Sequence, residues 1–303
     1  MHIGMLLPRH ARFRGDHLAF VCGDQRFTYQ AFNAYVNKLA NAILAAGLRK
    51  GDKVATVLPN CTQLMAAYWA AAKSGTVIVP MSPLLQDAGL ISLLADSDTV
   101  LVLGHVSFTE TFQRIRPQLP AIAADRWILI GDGAPPQGFR SYEAFVADAS
   151  EDNPPETGLT EHDVFNIMYS SGTTGLPKGI VHTHYVRAMY CMIFAMSFRV
   201  IPESVVLHAG SIVFNGAMVD LMPWMFAGAS YILHETFNAE AVIETIATEK
   251  VTHIVMVPAQ IIQVLDSKAF TPEKLSSLEM LHNIGAPLLI EHKKRINELL
   301  PGR

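Results

Sequence analysis

Cysteine is scarce in this sequence: Cys22, Cys61 and Cys191 lie far apart, with no CxxC pair and no companion histidine spacing. That excludes a disulfide framework and a structural zinc site, and it fits a reducing compartment. Charge is thin as well, at 17% of residues with a formal net charge of −4. No basic face of the kind that neutralises a phosphate backbone is present, so nucleic acid is excluded as a partner. Long apolar runs are also missing. The longest uncharged stretch, Ser204 to Val219, is interrupted by His208, Gly210, Asn215 and Gly216, and it falls short of the roughly 18 apolar residues a membrane span needs. The start has a brief apolar patch but no signal-peptide core. No transmembrane segment is expected, and the chain reads as cytoplasmic. There is no internal repeat and no low-complexity tract.

What is present is material for a core. Half of the 303 residues are hydrophobic, which suits a globular chain of about two lobes. Helix-period and strand-like segments alternate. From Tyr29 to Ala46 the residues Phe32, Val36, Leu39, Ala40, Ile43 and Leu44 follow helical spacing up to Gly47. Short apolar runs then alternate with helical patterns: Val54–Leu58, a helix over 62–73, Thr76–Val79, Thr99–Leu103, Trp127–Ile130, Val164–Tyr169, Val205–Ala209, Ser230–Leu233, a helix over 239–249, His253–Val257, a helix over 259–267, and Met280–Ile284. This beat predicts an α/β fold of two stacked lobes, with mostly parallel sheets covered by helices. The irregular stretch 131–158, rich in Gly, Pro, Asp and Glu, reads as a surface excursion or a lobe seam.

The sharpest signal lies after the strand Phe165-Asn166-Ile167-Met168. There the chain reads Tyr169-Ser170-Ser171-Gly172-Thr173-Thr174-Gly175-Leu176-Pro177-Lys178-Gly179 and returns to an apolar run at Ile180-Val181. Glycines let backbone N–H groups approach phosphate oxygens, hydroxyls donate further hydrogen bonds, and one lysine supplies a point charge. A Walker A loop is rejected, because it needs Gly-Lys-Ser/Thr and a helix directly afterwards. Here the lysine follows Pro177, and the chain continues as a β-type run.

The string resembles, position for position, the signature loop of the adenylate-forming superfamily, which includes acyl- and aryl-CoA synthetases, peptide-synthetase adenylation domains and beetle luciferases. Phe27-Thr28-Tyr29, Gly51-Asp52-Lys53-Val54, Leu58-Pro59-Asn60 and Ala72-Lys73-Ser74-Gly75 followed by Val79-Pro80 are similar to the family's earlier blocks, in order. The resemblance implies that Ser170, Ser171, Gly172, Thr173, Thr174, Gly175 and Lys178 hold the β- and γ-phosphates of ATP, with Ser170 on the magnesium side. It places the adenine against Gly285, Ala286 and Pro287, where backbone can press on a flat ring. It places the carboxylate substrate at Phe214, Asn215 and Gly216. Amino-acid-activating members have Asp where Asn215 stands, and a neutral amide leaves a buried ammonium without a counter-charge. A fatty or other non-amino acid is therefore expected, with Asn215 alternatively capping the following helix. The methionine-rich stretch from Ala217 to Phe226 reads either as lining for an acyl pocket or as a packed core helix. His182 and His184, on one face of the run after the loop, are expected to support it.

The implied reaction is acyl-adenylate formation from ATP and a carboxylate, then thioester formation with CoA, in fatty acid metabolism. The family's later motifs, including a magnesium-binding glutamate, a ribose-binding aspartate and a small C-terminal domain with the catalytic lysine, do not occur in these 303 residues. The expectation is a large N-terminal domain, catalytically incomplete by itself, with no catalytic residue assigned. Two alternatives stand beside it: a nucleotide- or acyl-binding protein without turnover, and an adenylation domain loading a carrier protein. A homodimer is left open.

Overall fold

A computed structural model describes residues 2–170 and 177–302. The chain divides into two compact units, the first of residues 1–15 and 30–188, the second of residues 16–29 and 189–303. The α/β expectation holds in each. Cys22, Cys61 and Cys191 are free, and no helix of the described residues is long and apolar enough to cross a membrane.

The first unit is built on a seven-stranded sheet in the order Arg140–Ser141, Trp127–Ile130, Thr99–His105, Lys53–Val57, Val77–Met81, Val164–Ser170, Lys178–Thr183. All neighbours are parallel except the last pair, an antiparallel hairpin. Helices Asp87–Asp96 and Thr109–Ile115 cover one face, packing Leu90, Leu93, Leu94, Phe112 and Ile115 on Ala55, Val57, Val79, Met81 and Val102. Each such side chain, fully buried, contributes on the order of 1.5–3 kcal/mol. Helix Thr62–Ser74 is buried along almost its whole length, which explains its alanine-rich sequence, and it stops at Gly75 with φ of 78°.

The stretch 131–158 falls within this unit. Its second half is clamped by an asparagine ladder on helix Tyr29–Ala45. Asn33, Asn37 and Asn41 fall at i, i+4 and i+8, so they share one face. Asn37 Nδ2 donates to the Glu151 carbonyl at 2.7 Å. Asn41 Nδ2 donates to the carbonyls of Ser150 and Asp152, each at 2.9 Å, and Asn33 Nδ2 reaches Asn153 Oδ1 at 3.3 Å. The bonds from Asn37 and Asn41 satisfy backbone carbonyls that a strandless segment would otherwise leave bare.

The second unit has a six-stranded sheet in the order Met280–Asn283, His253–Met256, Val205–His208, Ser230–Leu233, Leu18–Cys22, Gln25–Thr28. It too is parallel but for the last pair. Helices Ala239–Glu249, Pro258–Asp266 and Ile290–Leu299 pack Val242, Ile243, Ile246, Ile261, Val264 and Ile296 against Val21, Leu207, Ile232, Ile254 and Met256. The methionine-rich stretch forms helix Met218–Ala227, with Met218, Leu221, Met222, Trp224 and Met225 buried. Trp224 donates its indole N–H to the carbonyls of Ala19 and Ala229 at 3.1 and 3.0 Å, and its ring lies 4.7 Å from that of Tyr231. This is core packing, which decides between the two readings of that stretch.

Candidate functional site

In the first unit two of the predicted phosphate residues, Ser170 and Lys178, sit on the edge hairpin. Ser170 ends strand Val164–Ser170, Lys178 begins strand Lys178–Thr183, and the two are paired across the antiparallel ladder. The hydroxyl and the ammonium are thereby brought to the same mouth of the hairpin, and both residues are exposed. Ser171, Gly172, Thr173, Thr174 and Gly175 fall outside the described residues. Gly179 has a packing role that the sequence reading did not assign. A Cβ there would lie 3.0 Å from Ile167 and 3.2 Å from the Tyr169 ring. Tyr169 turns its hydroxyl to the Asp96 carboxylate, fixing the strand end to helix Asp87–Asp96. Burial and that carboxylate push the phenol above its ordinary range.

Beneath the hairpin lies a layer of buried polar groups that the sequence reading did not predict. Arg187, on helix His184–Phe198, is fully buried. Its Nε donates to Asn166 Oδ1 at 3.0 Å, and Nη2 lies 3.4 Å from Met168 Sδ. His182 is held down to about 4, first by burial and then by the charge of Arg187. His184 is also pushed down to about 4, mainly by burial. The expectation that the two histidines share one strand face is corrected: the strand ends at Thr183, and His184 opens the helix. His184 Nδ1 accepts from the Ile3 backbone N–H at 3.3 Å, and its ring lies 5.5 Å from that of Phe165. Among the described residues no group of three His, Cys, Asp or Glu could hold a metal. The donor set fits magnesium only as it would arrive with ATP, carried by phosphates and water and touched by a hydroxyl such as Ser170.

In the second unit the remaining predicted residues follow the C-terminal ends of two parallel strands that flank strand His253–Met256, the usual ligand end of such sheets. Strand Val205–His208 leads to Phe214, Asn215 and Gly216, which open a short 3-10 turn. Strand Met280–Asn283 leads to Gly285, Ala286 and Pro287. Gly285 has φ of 82°, and a Cβ there would lie 3.3 Å from Val257, so glycine suits this turn. Asn283 Nδ2 donates to the Ala286 carbonyl at 2.8 Å and closes it. The two segments touch: a Cβ on Gly216 would lie 2.8 Å from Ile284 Cδ1. Phe214 is 51% exposed. The capping alternative for Asn215 is not realised, because the N-cap of helix Met218–Ala227 is Ala217.

A further network went unseen in the sequence. His208 Nδ1 and Asp220 Oδ2 are 2.8 Å apart, and Tyr231 Oη donates to Asp220 Oδ1 at 3.1 Å, all buried. It ties helix Met218–Ala227, which follows the loop after strand Val205–His208, to two strands. A Cβ on Gly210, the start of that loop, would lie 3.2 Å from His208 Nε2. No local pattern links positions 208, 220 and 231, so only the fold could reveal it.

The model of the AMP-binding enzyme family matches residues 7–303. A feruloyl-CoA synthase of an Amycolatopsis species is 29% identical over 288 residues, covering 94% of this chain and 55% of that protein. The long-chain-fatty-acid–CoA ligase FadD13 of Mycobacterium tuberculosis is 34% identical over 187 residues, 60% of this chain and 35% of that one. Among solved structures, the inhibitor-bound N-terminal domain of FACL13 from Mycobacterium tuberculosis superposes with a TM-score of 0.85 at 26% identity, covering 97% of this chain and 72% of that one. The chain thus spans about half the length of the feruloyl-CoA synthase it matches.

Proposed function

The chain belongs to the AMP-binding enzyme family, and we propose that it serves ATP-dependent activation of a non-amino carboxylic acid for transfer to coenzyme A. In the first half-reaction a carboxylate oxygen attacks the α-phosphorus of ATP, and pyrophosphate leaves with the electron pair of the broken P–O bond. In the second, the CoA thiol loses its proton as sulfur adds to the acyl carbon, and AMP departs. The observation that carries the reading is the hairpin geometry, with Ser170 and Lys178 paired at either end of a glycine- and hydroxyl-rich loop. Catalysis of this kind is mostly positioning and charge stabilisation.

Lys178 is assigned to the β- and γ-phosphates together with Ser170, Ser171, Thr173 and Thr174. Gly172 and Gly175 are assigned to backbone approach. Magnesium, when it arrives with ATP, supplies charge neutralisation on the transferring phosphates, with Ser170 as the protein's hydroxyl beside it. Gly285, Ala286 and Pro287 are assigned to the adenine, and Phe214, Asn215 and Gly216 to the carboxylate substrate. Asn215 supports a substrate without an ammonium. The relatives named as acting on aryl and on long-chain acids leave the acyl class to experiment.

Thermal-shift titration with ATP and AMP tests the nucleotide half, and pyrophosphate release with aryl, short-chain and long-chain acids tests the reaction. ATP-dependent stabilisation that Lys178→Ala and Thr174→Ala both leave intact would refute the phosphate assignment. Thioester formation with free CoA, against transfer to a carrier protein, decides the acceptor.

A further inference from the structure

Away from every residue assigned above, the first unit holds a cavity of about 620 Å³ between its N-terminal helix and the segment after the asparagine ladder. Helix Leu6–Phe13 turns one face to it. Met5, Arg9, Arg12 and Phe13 recur at i, i+4, i+7 and i+8, and all four line the space. Met5 is 55% exposed and Phe13 74% exposed, and neither Arg9 nor Arg12 has an ion-pair partner among the described residues. The helix is seated closely: a Cβ on Gly4 would lie 2.1 Å from the Ala72 carbonyl oxygen, so only glycine fits there. The opposite wall is equally fixed. Lys50 Nζ donates to the Gly158 carbonyl at 3.1 Å, and Gly75 lies against Thr157 and Leu159.

Lys73 completes the lining from the side of helix Thr62–Ser74. It is 8% exposed, and its ammonium donates to the amide oxygens of Asn33, Asn37 and Asn153, with no carboxylate among its partners. Burial pushes it down to about 7. A buried ammonium compensated only by neutral dipoles is costly, and an anion brought close would restore its charge. Glu156 is the one carboxylate of the lining, against Arg9, Arg12 and Lys73.

We propose that this cavity is a binding site, separate from the nucleotide and substrate residues, for a small molecule that carries one carboxylate or phosphate group on an apolar body. The anion meets Arg9, Arg12 and the field of Lys73, and the apolar part lies along Met5 and Phe13. Paired guanidinium groups suit a planar or tetrahedral oxyanion, and the rigid walls lower the entropy lost on binding. A lipid surface is the less favoured partner, because the buried Lys73 and the fixed far wall serve a molecule that enters rather than a plane that adsorbs.

Calorimetric titration of the full chain with decanoate, decyl phosphate, decanol and inorganic phosphate tests this. The expected result is that both decyl anions bind more tightly than decanol or inorganic phosphate. The double variant Arg9→Ala/Arg12→Ala, exposed and therefore safe for folding, should weaken them by at least about tenfold. Lys73→Met, checked for folding by circular dichroism, should weaken them similarly. Binding that survives the arginine variant but is lost in Phe214→Ala belongs to the substrate loop and overturns the proposal. Equal affinity for decanol, or binding to anionic vesicles that ignores Lys73→Met while free decyl anions fail to bind, also overturns it. The nucleotide reading stands or falls separately on ATP-dependent stabilisation.

Discussion

The hairpin Leu18–Thr28 turns through Gly23 and Asp24 alone, whereas the hairpin over 164–183 leaves residues 171–177 between Ser170 and Lys178. Both close an otherwise parallel sheet at one edge. The short one is supported by apolar packing, with Phe20 fully buried beside Trp224. The long one rests on polar groups, Arg187, Asn166, His182 and His184, taken out of water. A hairpin that only ends a sheet can be built from ring packing and a tight glycine turn. The long hairpin carries buried charge and orphan-prone amides beneath it, at a cost in stability that an apolar base would not have.

The largest break in that comparison is expected at Arg187. Arg187→Ala removes the donor that holds Asn166 and leaves a cavity under the strand, so the chain should lose about 3 kcal/mol of stability. Urea unfolding followed by circular dichroism measures it. A loss below about 1 kcal/mol would mean that the polar layer is incidental to the hairpin.

Lys178→Ala should act the other way round. Its side chain is exposed, so stability should change by less than about 0.5 kcal/mol. The affinity for ATP should fall at least about tenfold, near 1.4 kcal/mol, as expected for one lost charge-assisted phosphate contact. Calorimetric titration with ATP reads it directly, and unchanged affinity would remove Lys178 from the cradle.

The asymmetry between the hairpins also governs what could be read in the sequence. The loop at Tyr169–Gly179 is contiguous, so its chemistry is visible in one line of residues, as are the strand before it and the β-run after it. The short hairpin escaped notice because Gln25–Thr28 alternates weakly and has only one strand's worth of apolar residues. The polar layer escaped for a different reason. Asn166 and Arg187 gain meaning only when a helix folds back under a strand, and Asn33, Asn37 and Asn41 only when residues 150–153 lie along them. His208, Asp220 and Tyr231 likewise come from two strands and a helix. Periodicity announces which face is buried; it does not announce which buried amide meets which charge.

Acid should weaken the chain partly at the base of the long hairpin, where His182 and His184 lie, since the short hairpin contains no histidine. His234 and His282 in the second unit, also held down by burial, add to the decline. His182 and His184 sit near 4 in the folded state because of burial, against about 6.5 in an unfolded chain. Between those values the unfolded chain holds protons that the native one lacks. Their contribution is therefore complete above pH 6.5 and lost as the pH falls towards 4. Urea midpoints at pH 7.5, 6 and 5 should decline in that window. His184→Gln should flatten the profile there and leave the limb above pH 7 unmoved; an identical acid profile in the variant would detach His184 from the effect.

The smallest effect is expected on the outer strand of the short hairpin. Arg26 meets Glu249 in a bidentate pair at 2.7 and 3.1 Å, with 48% and 31% of the two side chains exposed. The guanidinium holds the Glu249 carboxyl below its ordinary range, chiefly by hydrogen bonding. Water and salt screen such a pair, so Arg26→Ala should cost only about 0.5 kcal/mol at low salt and less in high salt. A double-mutant cycle with Glu249→Ala isolates the coupling. A coupling as large as the Arg187 effect would erase the distinction between the two hairpins. A small one leaves Arg26 with another use, a charge on a sheet edge whose unpaired backbone groups would otherwise invite a second strand.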